Sequence, residues 1–257
     1  TAQSLSAMKN ISSKNAGERL IFALDVQNYE DALSLVDLLS GHVGMFKIGK
    51  ELFTAAGPKI IRAIKERNQK VFLDLKFHDI PNTVARAAEA AVKMHVDMFN
   101  VHASGGSRMI RESVSAAWTC SDALGRARPI LLAVTVLTSL NNDDLKEIGF
   151  QKTTNELVVH LAGLAKAAGA SGVVASAQDI VMLRKAFGED FVIVTPGIRS
   201  AAEIRKDDDQ KRTLSAYDAV AAGADYIVVG RPIRTAADPL KACRQIVQEI
   251  AEGLSAR

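Results

Sequence analysis

Cysteine is scarce in this chain, with Cys120 and Cys243 the only two among 257 residues. So few, so far apart, form neither a disulfide framework nor a close-spaced zinc pair, and they suit a reducing compartment. Cytoplasm is the expected location. Long apolar runs are missing too: none approaches the roughly 18 to 20 residues that a membrane-spanning helix needs, so no membrane partner is expected. Charge of one sign is not in excess, since 32 Lys plus Arg face 29 Asp plus Glu for a formal +3. Without a local basic cluster, that balance gives no reason to expect nucleic acid as a partner. His42, His78, His95, His102 and His160 show no HExxH or comparable spacing, so no metal is expected. No Pro/Gly/Ser-rich linker divides the chain.

What is present is apolar material in a regular pattern. Hydrophobic residues make up 48% of the chain and charged residues 24%, enough for a sizeable core. From Leu20 onward, short β-rich runs alternate with longer stretches of helical periodicity. The strand candidates are Leu20–Asp25, Val43–Ile48, Val71–Lys76, Val96–His102, Ile130–Leu137, Gly172–Ala175, Phe191–Thr195 and Tyr226–Gly230. Between them lie amphipathic stretches such as Glu30–Leu39, Glu51–Glu66, Val84–Met94, Asn155–Ala168 and Leu214–Ala222, and Leu240–Leu254 closes the series. Strict alternation implies parallel pairing through right-handed crossovers, and eight repeats in this length fit an α/β fold of the closed (β/α)8 TIM-barrel type, a single domain. An open doubly wound sheet is the rival, but it usually declares a Gly-rich turn after its first strand, where this chain has Leu24-Asp25-Val26-Gln27-Asn28. Residues 1–18 read as a polar N-terminal tail without the apolar centre of a secretory signal, and 19–257 as the barrel.

Barrel chemistry gathers at the carboxyl ends of the strands, where the following loops converge. Those ends hold Asp25, Lys47, Asp74 with Lys76, His102, Thr138 with Ser139, Ser176, Pro196–Arg199 and Gly230-Arg231. A period of two puts Phe72, Asp74 and Lys76 on one face of the third strand, with Val71, Leu73 and Leu75 on the other. Asp74 and Lys76, about 7 Å apart along the strand, are then able to share one site. The same parity turns Asp25 inward. Taken singly, each is more often a solvated strand-end charge. Together, four inward charges on three adjacent strands read as an electrostatic site, because unpaired buried ions cost several kcal/mol each, or else as a structural salt-bridge network.

The loops after strands seven and eight often hold phosphate in such barrels. Here they carry Pro196-Gly197-Ile198-Arg199 and Gly230-Arg231-Pro232-Ile233, with a glycine for close backbone approach and an arginine as a bidentate fork. Ordinary turns with solvent-facing arginines are the bland alternative. Residues 198–213 form a long charged connection, expected to act as a lid. His102 reads equally as a pocket residue or a hydrogen-bonded structural one.

The run Phe72-Leu73-Asp74-Leu75-Lys76-Phe77-His78-Asp79-Ile80-Pro81-Asn82-Thr83 resembles the Asp-x-Lys-x-x-Asp-Ile-Pro signature of the orotidine 5′-monophosphate decarboxylase family. The likeness continues through Leu24-Asp25, Lys47-Ile48-Gly49, Asn100-Val101-His102-Ala103, Leu137-Thr138-Ser139, Pro196–Arg199 and Val229–Pro232, covering the chain from about residue 19 onward. The resemblance implies that Asp25 and Lys47 bind ribose hydroxyls, that Lys47 also contacts Asp74 in an alternating catalytic charge array, and that Asp74 faces the substrate carboxylate. It implies that Lys76 protonates ring carbon C6 and that Asp79, Ile80 and Thr83 reach into a neighbouring subunit's site, making the unit a homodimer. Ser139, with Thr138 nearby, is implied at the pyrimidine edge; Gln210, Gly230 and Arg231 at the phosphate; Pro196 and Arg199 at the border of that end.

The implied activity is decarboxylation of orotidine 5′-monophosphate to uridine 5′-monophosphate, the last step of de novo UMP synthesis, without a cofactor. Two alternatives stand beside it. Related barrels act on sugar phosphates through a magnesium-bound enediolate, but usually carry Glu where this chain has Lys47, and the Ile80-Pro81-Asn82 continuation favours the nucleotide enzyme. A non-catalytic binder of phosphorylated ligands would not require Lys76.

Overall fold

A computed structural model of the chain describes residues 16–199 and 214–257. Eight parallel strands follow one another in chain order and close as a barrel, β1 to β8. They are β1 (Leu20–Ala23), β2 (Met45–Ile48), β3 (Val71–Phe77), β4 (Met98–His102), β5 (Ile130–Val134), β6 (Gly172–Val174), β7 (Val192–Thr195) and β8 (Tyr226–Val229). Each sits at a predicted position, mostly trimmed by one to three residues. The apolar, β-branched runs explain the burial: all four residues of β1 and residues 71–74 of β3 are buried, as parallel strands covered on both faces require.

The described residues pack as two compact units: those before Phe72 together with those from Thr195 onward, and Phe72–Val194. In the first, β1 pairs with β2 (Phe22↔Phe46) and with β8 (Phe22↔Val229). Phe22 and Phe46 meet edge to face with centroids 6.3 Å apart, a favoured aromatic geometry. Helix α1 (Tyr29–Leu39) is capped by Asn28, whose side chain accepts from the Asp31 N–H, and buries Ala32, Val36 and Leu39. The stretch predicted as one helix over Glu51–Glu66 is two, α2 (Lys50–Ala56) and α3 (Lys59–Glu66). Gly57 takes φ 64° and Pro58 follows it, so the apolar periodicity continues across a backbone break.

In the second unit β4 to β7 pair in register, with Asn100↔Leu132 linking β4 to β5 and Gly172↔Val192 linking β6 to β7, while β3 meets β4 with a register shift between Leu73 and Phe77. A Cβ on Gly172 would collide with the Val192 carbonyl oxygen. Helix α4 (Pro81–Lys93) starts with proline at its first position and buries Val84, Ala88, Ala91 and Val92; it packs on α5 (Gly106–Ala123). Capping boxes at Asn141/Asp144 and Thr153/Glu156 begin α6 (Asn142–Glu147) and α7 (Thr154–Ala167). Among the described residues no helix is long and apolar enough to cross a membrane.

Candidate active site

A tight acid–base contact at a strand end lies on β3. Asp74 is only 8% exposed, and the Lys76 ammonium Nζ stands 2.7 Å from its Oδ1. The same oxygen accepts a hydrogen bond from Asn100 Nδ2 at 2.8 Å. Asn100 Oδ1 in turn accepts the backbone N–H of Lys76 at 2.8 Å. A carboxylate with a cation and an amide donor on one oxygen is well compensated for its burial.

Simple alternation does not produce this arrangement. Leu73 pairs with Phe99, and Phe77 with Val101, so four steps along β3 match two along β4. The period-two argument therefore stops at Leu73, although Asp74 and Lys76 still meet. Inside the irregularity Lys76 adopts φ 51°. Among the described residues, the other non-glycine positions with positive φ are Asn68 and His95; each follows a helix, and both residue types visit the left-handed region more readily than most. A lysine held there in a strand carries strain of the sort found at functional sites.

In the first unit, Lys47 Nζ on β2 lies 3.6 Å from Asp25 Oδ1, the lysine side chain 13% exposed and the aspartate 55%. The Leu24 N–H donates to the Lys47 carbonyl at 3.0 Å, which carries the β1 ladder to the residue before Asp25. Gly49 and Gly230 flank this pair: a Cβ on Gly49 would lie 3.5 Å from Lys47 Nζ, and one on Gly230 3.5 Å from Asp25 Oδ2. Gly230 precedes a short helix, Arg231–Arg234, whose first residue Arg231 is exposed. Pro196 and Arg199 are half-buried around Gly197, which takes φ 73°, and the Arg199 N–H donates to the Leu214 carbonyl at 3.4 Å. Gln210 and all of the expected lid except Ile198 and Arg199 lie outside the described residues.

Beyond β5 the Leu140 N–H bonds to the Leu137 carbonyl at 2.9 Å, leaving Thr138 and Ser139 exposed at the tip of a turn. After β3, Asp79 is exposed and its Oδ1 accepts the Ile80 N–H at 2.6 Å. Ile80 is 66% exposed, and Thr83 is exposed in the first turn of α4. His102 ends β4 with its ring 5.4 Å from that of His78. Ser176, after β6, donates to Asp179 Oδ2 at 2.7 Å; burial pushes the Asp179 carboxyl above the usual range, against the opposing pull of that hydrogen bond. Among the described residues no three His, Cys, Asp or Glu side chains are grouped to hold a metal ion.

Sequence reasoning passed over Asn100 as a functional side chain. It is 1% exposed within Met98-Phe99-Asn100-Val101, and a buried amide in an apolar strand demands partners. That was the available signal.

Comparison with known proteins gives the family. The model of the orotidine 5′-phosphate decarboxylase / HUMPS family matches residues 18–246. The chain is 56% identical to orotidine 5′-phosphate decarboxylase of Syntrophus aciditrophicus, over 97% of this chain and 99% of that one. It is 50% identical to the protein of that name from Geotalea daltonii, over 93% and 98%. Among solved structures, orotidine 5′-phosphate decarboxylase from Lactobacillus acidophilus superposes with a TM-score of 0.80 at 39% identity, covering 90% of this chain and 98% of that one. With its motif, strand order and relatives in accord, the chain belongs to the orotidine 5′-phosphate decarboxylase / HUMPS family.

Proposed function

We propose that this chain is a carboxy-lyase that converts orotidine 5′-monophosphate to uridine 5′-monophosphate in pyrimidine biosynthesis. The observation that carries the reading is the Lys76 ammonium held 2.7 Å from the buried Asp74 carboxylate. Loss of CO₂ from C6 leaves an electron pair with little delocalisation into the ring, so the uncatalysed barrier is very high. A fixed ammonium stabilises the charge that develops at C6. As the C6–carboxylate bond breaks, its electron pair stays on carbon, CO₂ departs, and a proton passes from Lys76 Nζ to C6. The resulting amine regains its proton from solvent. Asp74 holds the Lys76 ammonium in place and repels the substrate carboxylate that approaches it.

In this reading Asp25 and Lys47 bind the ribose hydroxyls, and Thr138 and Ser139 the pyrimidine edge. Gly230, Arg231 and Gln210 bind the phosphate, bordered by Pro196 and Arg199. Binding energy from that remote group contributes to orienting the reacting end. Lys47, where the magnesium-dependent sugar-phosphate enzymes usually carry Glu, favours the nucleotide reaction. The test is loss of orotate-ring absorbance with EDTA present: sustained turnover is expected, and none with the nucleotide, or turnover abolished by the chelator, would overturn the reading.

Asp79, Ile80 and Thr83 act across the interface of a homodimer in the same reading. An isoleucine 66% exposed beside an exposed aspartate supports a surface that a second copy covers. Mixing Lys76→Ala and Asp79→Ala subunits is expected to restore one intact site per mixed dimer. No recovery despite confirmed exchange would place Asp79 in its own subunit's site.

A further inference from the structure

We infer that Asn100 is a positioning residue for the decarboxylation, locking the Asp74 carboxylate and the Lys76 backbone to one rigid amide. The inference rests on the roles proposed for Asp74 and Lys76. Three observations carry it.

The first is the count of residues across the ladder. Leu73↔Phe99 and Phe77↔Val101 leave Asn100 alone on β4 opposite three residues of β3, Asp74 to Lys76. The Lys76 N–H donates to the Asn100 side chain at 2.8 Å. The amide thus takes up a backbone N–H of β3 where the strand is irregular, at the residue with φ 51°. Without that acceptor a left-handed lysine has less to hold it in a costly conformation.

The second is the chemistry the position demands. One partner is a donor, the Lys76 N–H, and the other an acceptor, Asp74 Oδ1 at 2.8 Å. These partners fix the orientation of the amide, oxygen toward Lys76 and nitrogen toward Asp74. An aspartate here would set a second carboxylate against Asp74; an apolar residue would leave both groups short of a partner.

The third is rigidity. Asn100 is 1% exposed and its backbone is anchored in the β4–β5 ladder opposite Leu132. It therefore acts through Asp74 and Lys76, holding the ammonium and the carboxylate in fixed relation, a requirement for preorganised electrostatic catalysis.

The test compares Asn100→Ala with the nearly isosteric Asn100→Asp, measuring kcat, KM, affinity for uridine 5′-monophosphate and the thermal midpoint. Lys76→Ala runs in parallel. The product lacks the reacting carboxylate, so its affinity reports the integrity of the rest of the site. Both Asn100 variants are expected to lose about 10- to 100-fold in kcat, the scale of a misplaced reacting group, while KM and product affinity stay within about threefold. Asn100→Asp preserves side-chain volume and the acceptor for Lys76, so it carries the test if Asn100→Ala fails to fold. An inactive Lys76→Ala beside Asn100 variants with wild-type kcat would overturn this inference alone. A fully active Lys76→Ala would overturn the proposed chemistry and this inference with it. Parallel loss of kcat and product affinity in both Asn100 variants would reduce Asn100 to a purely structural role.

Discussion

Replacing Lys76 by glycine and, separately, by alanine isolates the backbone strain at the centre of the site. Both variants lose the ammonium next to Asp74, so that loss cancels in the comparison. They differ only in the Cβ carried at φ 51°. A side chain in the left-handed region costs roughly 1–2 kcal/mol, whereas glycine gives back about 0.5–1 kcal/mol through its greater freedom when unfolded. Lys76→Gly is therefore expected to exceed Lys76→Ala in stability by about 0.5–1 kcal/mol. For a chain of this size that is a gap of about 1–4 °C in thermal midpoint. Equilibrium denaturation and thermal melts of the two proteins measure it, with turnover assayed alongside; both are expected to be inactive. Alanine equal to or more stable than glycine would show that the protein in solution does not hold residue 76 in the left-handed conformation, and the strain argument would fall.

Other consequences follow from burial. Because burial raises the folded-state value of Asp179 above its unfolded value, its favourable contribution is complete below the unfolded value and is lost as pH rises through the raised one. Asp179→Asn is thus expected to gain stability relative to the parent between acid and neutral pH; melts at several pH values showing the opposite trend would contradict the assignment. The Cys243 thiol is buried and pushed up to about 11, so at pH 8 about one molecule in a thousand carries the thiolate. A thiol reagent is expected to modify half-buried Cys120 in the folded protein and Cys243 only on unfolding, as peptide mapping would reveal. Gly172→Ala drives a Cβ into the Val192 backbone and is expected to cost about 3 kcal/mol in denaturant titrations.

The barrel is legible in the sequence because its strands are short, apolar and regularly spaced, and period-two and period-3.6 patterns survive there. Where the chain breaks its own pattern, legibility ends. Ile60, Ile61 and Ile64 continue the apolar rhythm of the preceding helix, which hides the break that Gly57 and Pro58 impose. Strand alternation points to Asp74 and Lys76, yet the β3 irregularity interrupts that alternation before it reaches Lys76. Their contact depends on a side chain from the next strand, and sequence spacing holds no record of that pairing. An amide in the apolar run around Asn100 signals that it needs partners but not which ones, because its two bonds reach back 26 and 24 positions, to Asp74 and Lys76. Exposed residues such as Thr138, Ser139 and Asp79 are recognisable only by family likeness, since a solvent-facing hydroxyl or carboxylate has no periodicity to betray it.

The most direct test of the central claim is the rate of orotidine 5′-monophosphate decarboxylation by folded Lys76→Ala, followed with enzyme in excess over substrate so that product release does not limit the signal. Removing both the charge that stabilises the C6 electron pair and the proton that quenches it is expected to slow the chemical step by about 10⁴-fold or more, with the fold intact by melting. A chemical step within tenfold of the parent would show that this ammonium is not the group that meets C6.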